Sequence, residues 1–409
     1  MPQGAGGRIA SLDLIRGVAV LGILAINIAG FAGPSTAPSD IDAPTPASAA
    51  DTIVFALNLL LFEGKMRGLF SLLFGASMAV FLDRMDDAGK PAGLLQVRRL
   101  LWLMVFGQLH YLLFWWGDIL FLYGACGLLL LLLSPLEPRA MAASAVITFL
   151  MWHGWDALMA SPGVSAERAV TLGTATATQA ELHDLQLDWL AERTADDLML
   201  FQTGFLDILY DKVTGDPFWL FAMVVDNLGE TLPMMIIGMA LARTGFFAGQ
   251  WPRSAMRLAA GGATALGLGL TAFVVARLWH AGFPPIATSA AMNGWLGPAH
   301  LLQTFGYASL LVLATPSLAR TSLGQRLIAA GRLAFSNYLL TTIVMTAIFY
   351  GWGLGLIGLF GEAELTGFML LGWAMMLAWS KPWLSRFRQG PLEWLWRSLA
   401  EGRRMAIIR

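Results

Sequence analysis

His110 and Asp118 stand in the run Phe106-Gly-Gln-Leu-His-Tyr-Leu-Leu-Phe-Trp-Trp-Gly-Asp118. A carboxylate within reach of an imidazole fixes its tautomer and raises its basicity, so the two together can act as a general base. Gln108 lies beside them and Tyr123 follows one to two helical turns after Asp118. The plainer alternative is a histidine that bonds a carbonyl and closes a hairpin, with Asp118 capping the next helix.

A second set begins Ser11-Leu-Asp-Leu-Ile-Arg-Gly17. Asp13 and Arg16 are three apart and share a helix face. Asn27 follows Arg16 by about 16 Å along a helix axis, so one polar stripe climbs most of this segment. A third set is Asp226, Asn227 and Glu230, with Glu230 one turn after Asp226; Arg277 and Arg16 are candidate partners. Lys65 and Arg67 sit in Glu63-Gly-Lys-Met-Arg67, His300 in Gly297-Pro-Ala-His-Leu-Leu-Gln303, and Asn337 and Tyr338 in Gly331-Arg-Leu-Ala-Phe-Ser-Asn-Tyr338. Asn337 reads equally as a residue that bonds a neighbouring helix. His300 reads as interfacial, as do His153 and His280 at other span ends.

These side chains matter because of where they sit. The chain has 409 residues, 57% hydrophobic and 13% charged, with mean hydropathy +0.64. A soluble surface needs about 25% charged residues. The expected fold class is therefore all-α, a polytopic transmembrane helix bundle forming one membrane domain over 1–409. Windows of about 20 apolar residues fall near 11–31, 54–82, 98–115, 117–134, 139–158, 217–242, 256–279, 298–315, 332–350 and 364–380, about ten spans. Residues 54–65 read as a short surface helix ahead of a span that starts near Met66. A charge at the bilayer centre costs at least about 2.5–3.5 kcal/mol, so each polar residue above should face a cavity or a partner.

Orientation follows from the loops. With the N-terminus inside, 19 of the 26 Lys and Arg fall in cytoplasmic segments, among them Arg8, Arg98, Arg99, Arg332, Arg386, Arg388 and Arg409, and three in outer ones. Both termini are then expected to be cytoplasmic. The outer segment 159–216 is acidic with helically spaced apolar residues and is expected to form an amphipathic helical insertion over the outer mouth. Residues 383–409 read as a cytoplasmic interfacial helix.

Net charge is -1, which gives no reason to expect a nucleic-acid partner. The one cysteine, Cys126, lies in an apolar run, so no disulfide framework exists. No His or acidic pair has metal-ligand spacing, and no metal is expected. There is no Walker motif, no GxGxxG between strand and helix, and no GxSxG.

The chain resembles the YeiB family of bacterial membrane proteins. The matching pieces are Arg8-Ile-Ala-Ser-Leu-Asp-Leu-Ile-Arg-Gly17 running to Asn27, Glu63 to Gly75, Gly107-Gln-Leu-His110 with Gly117-Asp-Ile-Leu120, Gly331 to Tyr338, and Gly390-Pro-Leu-Glu-Trp-Leu-Trp-Arg397. More distantly, YeiB-like proteins look like members of a transmembrane acyltransferase superfamily. That group includes heparan-α-glucosaminide N-acetyltransferase and the acyltransferase-3 enzymes. The resemblance implies a cytoplasmic acyl-CoA donor and an acceptor at or beyond the outer face. CoA phosphates would dock on Arg98, Arg99, Arg332, Arg386 and Arg388. His110, held by Asp118, would deprotonate an acceptor hydroxyl or amine, and Asn27, Arg16, Lys65 or Arg67 would steady the oxyanion. In acyltransferase-3 proteins the first-span Arg is followed by ten residues and a His; here Asn27 stands there, and no His occurs between 28 and 109.

The competing reading is a transporter or flippase for a small anionic or amphipathic solute, with Asp226 and Glu230 relaying protons. Expected partners are the bilayer, a small or lipid-like molecule, and a second copy in a homodimer.

Overall fold

The computed structural model describes residues 9–408; Arg8 and Arg409 lie outside them. Helices follow one another without strands among the described residues. In order they are α1 (Ala10–Ala32), α2 (Ala49–Leu61), α3 (Lys65–Asp87), α4 (Ala92–Leu113), α5 (Leu120–Leu133), α6 (Pro138–Thr171), α7 (Ala177–Phe201), α8 (Phe205–Thr214) and α9 (Trp219–Arg243). Then come α10 (Arg253–Leu258), α11 (Thr264–His280), α12 (Pro285–Ala290), α13 (Gly297–Leu318), α14 (Ser322–Arg332), α15 (Ala334–Phe349), α16 (Glu362–Arg386) and α17 (Pro391–Glu401). A π-helical turn, Ala259–Ala263, joins α10 to α11, and another, Ala291–Trp295, precedes α13.

Among the described residues five stretches are long and apolar enough to cross a bilayer: Ala10–Ala32, Ala49–Asp87, Trp219–Arg243, Arg253–His280 and Gly297–Leu318. Helices α14 and α15 pass the same test only when taken together, and they are bent by 85° at Leu333, as in a broken span or a re-entrant loop. The all-α polytopic bundle is thus in place. Helices α4, α6 and α16 carry more polar residues and α5 has only 14, so they rely on the bundle around them.

Helix α1 is the central post: 19 of its 23 residues are buried, from Ser11 to Ala32. Close approach to its neighbours comes through glycine. A Cβ on Gly17 would meet the Leu327 carbonyl of α14, and one on Gly331 would meet the Asp13 carbonyl of α1. Helices α3 and α9 meet in the same way, Gly75 against Met235 and Gly238 against Leu72. Without a hydrophobic drive between helices in lipid, such small-residue contacts supply the packing.

The ends of the bundle are distinct. At one end lie the N-terminus of α1, the C-terminal ends of α3, α9 and α16, and α17. Contacts tie them together: Arg243 donates to Ser134 O, Trp396 Nε1 to Arg99 O and Arg332 to Arg388 O. This is the basic end. At the other, α7 and α8 fold over the bundle, with Asp197 accepting from Ser35 N and Gly351 N donating to Phe201 O. Helix α6, 34 residues long, continues past the bundle into this cap.

One expectation is revised. Helix α2 is not a surface helix. Asn58 Nδ2 donates to Ala25 O near the middle of α1, and Met66 packs on Gly22. Residues 49–87 form one long span with a break at Phe62–Gly64, level with the middle of α1. Gly64 has φ +73°, which favours glycine.

Candidate functional site

A cavity of about 580 Å³ opens at the basic end. That size suits a ligand pocket. Its mouth carries Arg84, Lys90, Arg99, Arg332 and Arg397, with Asp13, Glu393 and Glu401 among them. Its depth is apolar and aromatic: Phe70, Leu73, Phe74, Leu120, Tyr123 and Tyr338. The shape and lining suit an anionic group at the mouth and a hydrocarbon tail within.

Several side chains are held in set positions. Arg16 lies 3.3 Å from Asp13 Oδ1 and donates to Ser77 Oγ at 2.6 Å. Arg99 is clamped between two rings, 4.0 Å from Phe81 and 4.6 Å from Trp396. Gln96 is buried, lines the cavity, and leaves its Oε1 without a partner. Glu393 of α17 accepts from Phe335 N, Ser336 N and Ser336 Oγ. The first N–H groups of a helix lack intrahelical partners, so this carboxylate caps α15 just after the bend.

His110 and Asp118 do pair, with Nδ1 and Oδ1 2.8 Å apart and both side chains wholly enclosed. Asp118 also accepts from Phe121 N at 2.7 Å, which caps the start of α5. An acceptor carboxylate puts the imidazole proton on Nδ1. His110 Nε2 is then the basic nitrogen, and it has no partner. The imidazole does not line the cavity. Tyr338 stands between, its ring centroid 5.1 Å from that of His110 and its hydroxyl directed to Gly117 O at 3.3 Å.

A second polar cluster lies behind Tyr123. The Tyr123 hydroxyl bonds Ser71 Oγ at 2.7 Å and reaches toward Arg67 O. Arg67 sits 3.2 Å from Glu63 and 3.4 Å from Glu230. Lys65 is fully buried and donates to Leu59 O, at the end of α2. His300 packs against Gly64 and is buried rather than interfacial, and its Nε2 has no partner. His153 is likewise buried, against Gly297.

The predicted residues therefore divide. Asp13, Arg16, Arg99, Tyr123, Arg332 and Tyr338 line the cavity, and His110 with Asp118 stand behind its wall. Lys65, Arg67, Glu230 and His300 form the second cluster, with Asp226 exposed near it. The partner of Glu230 is Arg67, not Arg277, which is exposed, nor Arg16. Asn27 and Gln108 are half-buried and line neither the cavity nor its mouth; Arg98 lies at the end of α17, outside the lining. Asn227 donates to Met223 O within its own helix. Asn337 donates to Ala330 O and Ser380 Oγ and accepts from Trp379 Nε1, bracing the bend between α14 and α15. Ser77, Phe81 and Gln96 escaped sequence reasoning, and Glu393 and Trp396 stood in the family-like piece Gly390–Arg397 without a role at the site. These five come from three helices, and nothing in their spacing links one helix to the next. Among the described residues no three His, Cys, Asp or Glu converge so as to hold a metal ion.

Bundle and vestibule define an all-α polytopic membrane protein. Over 398 residues, 96% of each chain, it is 31% identical to the uncharacterized protein YeiB of Escherichia coli. It is also 31% identical to the uncharacterized protein YxaH of Bacillus subtilis, over 96% of this chain and 94% of that one. An uncharacterized 39.9 kDa protein from the amylase 3' region of Bacillus acidopullulyticus is 25% identical over 98% of this chain and 96% of its own. Residues 241–403 match the model of a protein family of unknown function, DUF418. The chain belongs to the YeiB family. No solved structure matches it.

Proposed function

We propose that this protein is a transmembrane acyltransferase that takes its acyl group from a cytoplasmic acyl-CoA, with both termini and the basic end on the cytoplasmic side of a bacterial inner membrane. The observation that carries this reading is the buried His110–Asp118 pair, which stands one aromatic ring away from a cavity with a basic mouth and an apolar floor, its Nε2 unpartnered. Arg84, Lys90, Arg99, Arg332 and Arg397 would take the phosphates of the donor, and the aromatic depth its acyl chain. His110 Nε2 would accept the proton of an acceptor hydroxyl or amine as its oxygen or nitrogen attacks the thioester carbonyl. The C–S bond then breaks and the CoA thiolate takes up a proton. Tyr338 must swing aside for carbonyl and imidazole to meet. Arg16, at the cavity wall, is the group best placed to steady the oxyanion.

The test is release of CoA thiol from acyl-CoA by the purified protein in nanodiscs, compared with His110→Ala. Loss of a general base lowers turnover by about 10²–10⁴-fold. Turnover unchanged in the variant would remove His110 from the chemistry.

A further inference from the structure

Two polar groups in the wall of the cavity at the basic end have nothing to bind. Gln96, 4% exposed, and Arg99, half-buried, stand one turn apart on a face of α4, and both line the cavity. Gln96 Oε1 and Arg99 Nε are each buried, and among the described residues neither makes a hydrogen bond. A buried polar group left unpaired carries its full desolvation penalty, so most such groups in folded proteins have a partner. This part of the wall is otherwise closely held. Trp396 Nε1 donates to Arg99 O, and the guanidinium lies 4.0 Å from the Phe81 ring centroid and 4.6 Å from that of Trp396. The rings fix the guanidinium in place but offer Nε no acceptor in line.

The two groups ask for different things. Gln96 Oε1 needs an N–H; Arg99 Nε needs a lone pair. An anion would answer Arg99 alone, and a hydrocarbon tail would answer neither. One rigid edge that carries an N–H beside a lone pair answers both. A trans secondary amide holds its N–H and C=O on opposite sides, so the amides of a pantetheine arm do not present that pair to a single helix turn. Adenine does, with its amino group next to a ring nitrogen, and glutamine amides read adenine through these atoms.

We propose that Gln96 and Arg99 Nε bind the amino edge of adenine, so that the nucleotide of the donor is recognised by its base as well as by its charge. This rests on the acyl-CoA reading above, which supplies the adenine, and names the part of the donor that the protein reads. Arg84, Lys90, Arg332 and Arg397, around the same mouth, stay with the phosphates. The acyl chain runs past this turn toward Leu103 and the aromatic depth.

The test is calorimetric titration of the full chain in nanodiscs with CoA, with adenosine 3',5'-bisphosphate, and with the same bisphosphate carrying purine, which lacks the amino group. Wild type should bind the adenine nucleotide about tenfold more tightly than the purine one. In Gln96→Leu that preference should shrink to within about twofold, with the affinity for the purine nucleotide unchanged. Without nucleotide, Gln96→Leu should melt at or above the wild-type temperature, because an apolar side chain of similar size replaces an unpaired amide. A lower melting temperature with the adenine preference intact would mark a structural amide and overturn the proposal. The wild-type comparison needs no variant. Equal affinity for the two bisphosphates, with CoA still bound, overturns the adenine assignment and leaves the donor reading standing. No binding of CoA or of either bisphosphate removes both.

Discussion

Lys212 offers a pH-dependent handle on the cap that holds the His110 hairpin. It lies in α8, is buried, and donates to Tyr111 O at 2.7 Å, one residue from His110. Tyr111 returns a bond to Asp216 O. Burial lowers the Lys212 ammonium to about 7 from its ordinary value of 10.5. Between those values the unfolded chain holds a proton that the folded chain has shed. Stability therefore rises with pH through this window and is flat below it. The slope is about 1.4 kcal/mol per pH unit, so between about pH 7 and 9 the gain is roughly 2–3 kcal/mol. Replacing Lys212 by Met keeps the apolar stem and removes the titration. The assay is SDS-titrated unfolding in mixed micelles across that range, with hydrogen exchange at α8 as a local readout. Wild type should gain stability on going alkaline and Lys212→Met should lose most of that slope. An identical slope in both proteins would refute the reasoning.

Three further outcomes follow from the packing and the site. Glu393→Ala removes three bonds to a carboxylate at the start of α15 and leaves two N–H groups bare; at about 1.5–3 kcal/mol for a charge-assisted bond and with non-additivity, unfolding free energy should fall by about 3 kcal/mol, read by the same titration. Gly75→Ala drives a methyl into the Met235 carbonyl, and overpacking of this kind costs about 1–3 kcal/mol, again read by unfolding. Asp118→Asn retains the hydrogen-bond shape near His110 but frees the ring to take the other tautomer, so CoA release should drop at least about tenfold while acyl-CoA binding, measured by equilibrium dialysis, stays within about twofold.

Much of this arrangement is legible in the residues. Hydropathy and the excess of apolar over charged side chains were enough for an all-α membrane bundle. The His110–Asp118 pairing follows from the short hairpin between α4 and α5, which is local. Asp13 with Arg16 follows from helical spacing. What the sequence hid is long-range. Arg67 meets Glu230 across 163 positions, and Glu393 reaches Ser336 from another helix; neither has a pattern. Residues 54–65 read as a surface helix because the window 54–82 is too long for one straight span and holds Glu63, Lys65 and Arg67. The break at Phe62–Gly64 is instead a polar interruption that neighbouring helices enclose. Asn337 drew attention as a polar residue in a span, yet its neighbours across the bend engage both ends of its amide.

The central claim is that an acyl donor enters the cavity at the basic end with its chain pointing toward Tyr123 and Tyr338. A fatty acyl-CoA bearing a diazirine near the end of its chain, photolysed with the protein in nanodiscs and mapped by peptide mass spectrometry, tests this directly. The account predicts labels on Phe70, Leu73, Phe74 or Leu120, suppressed by excess unlabelled CoA. Labels confined to the lipid-facing surfaces of α6 and α11, or unaffected by CoA, would contradict it.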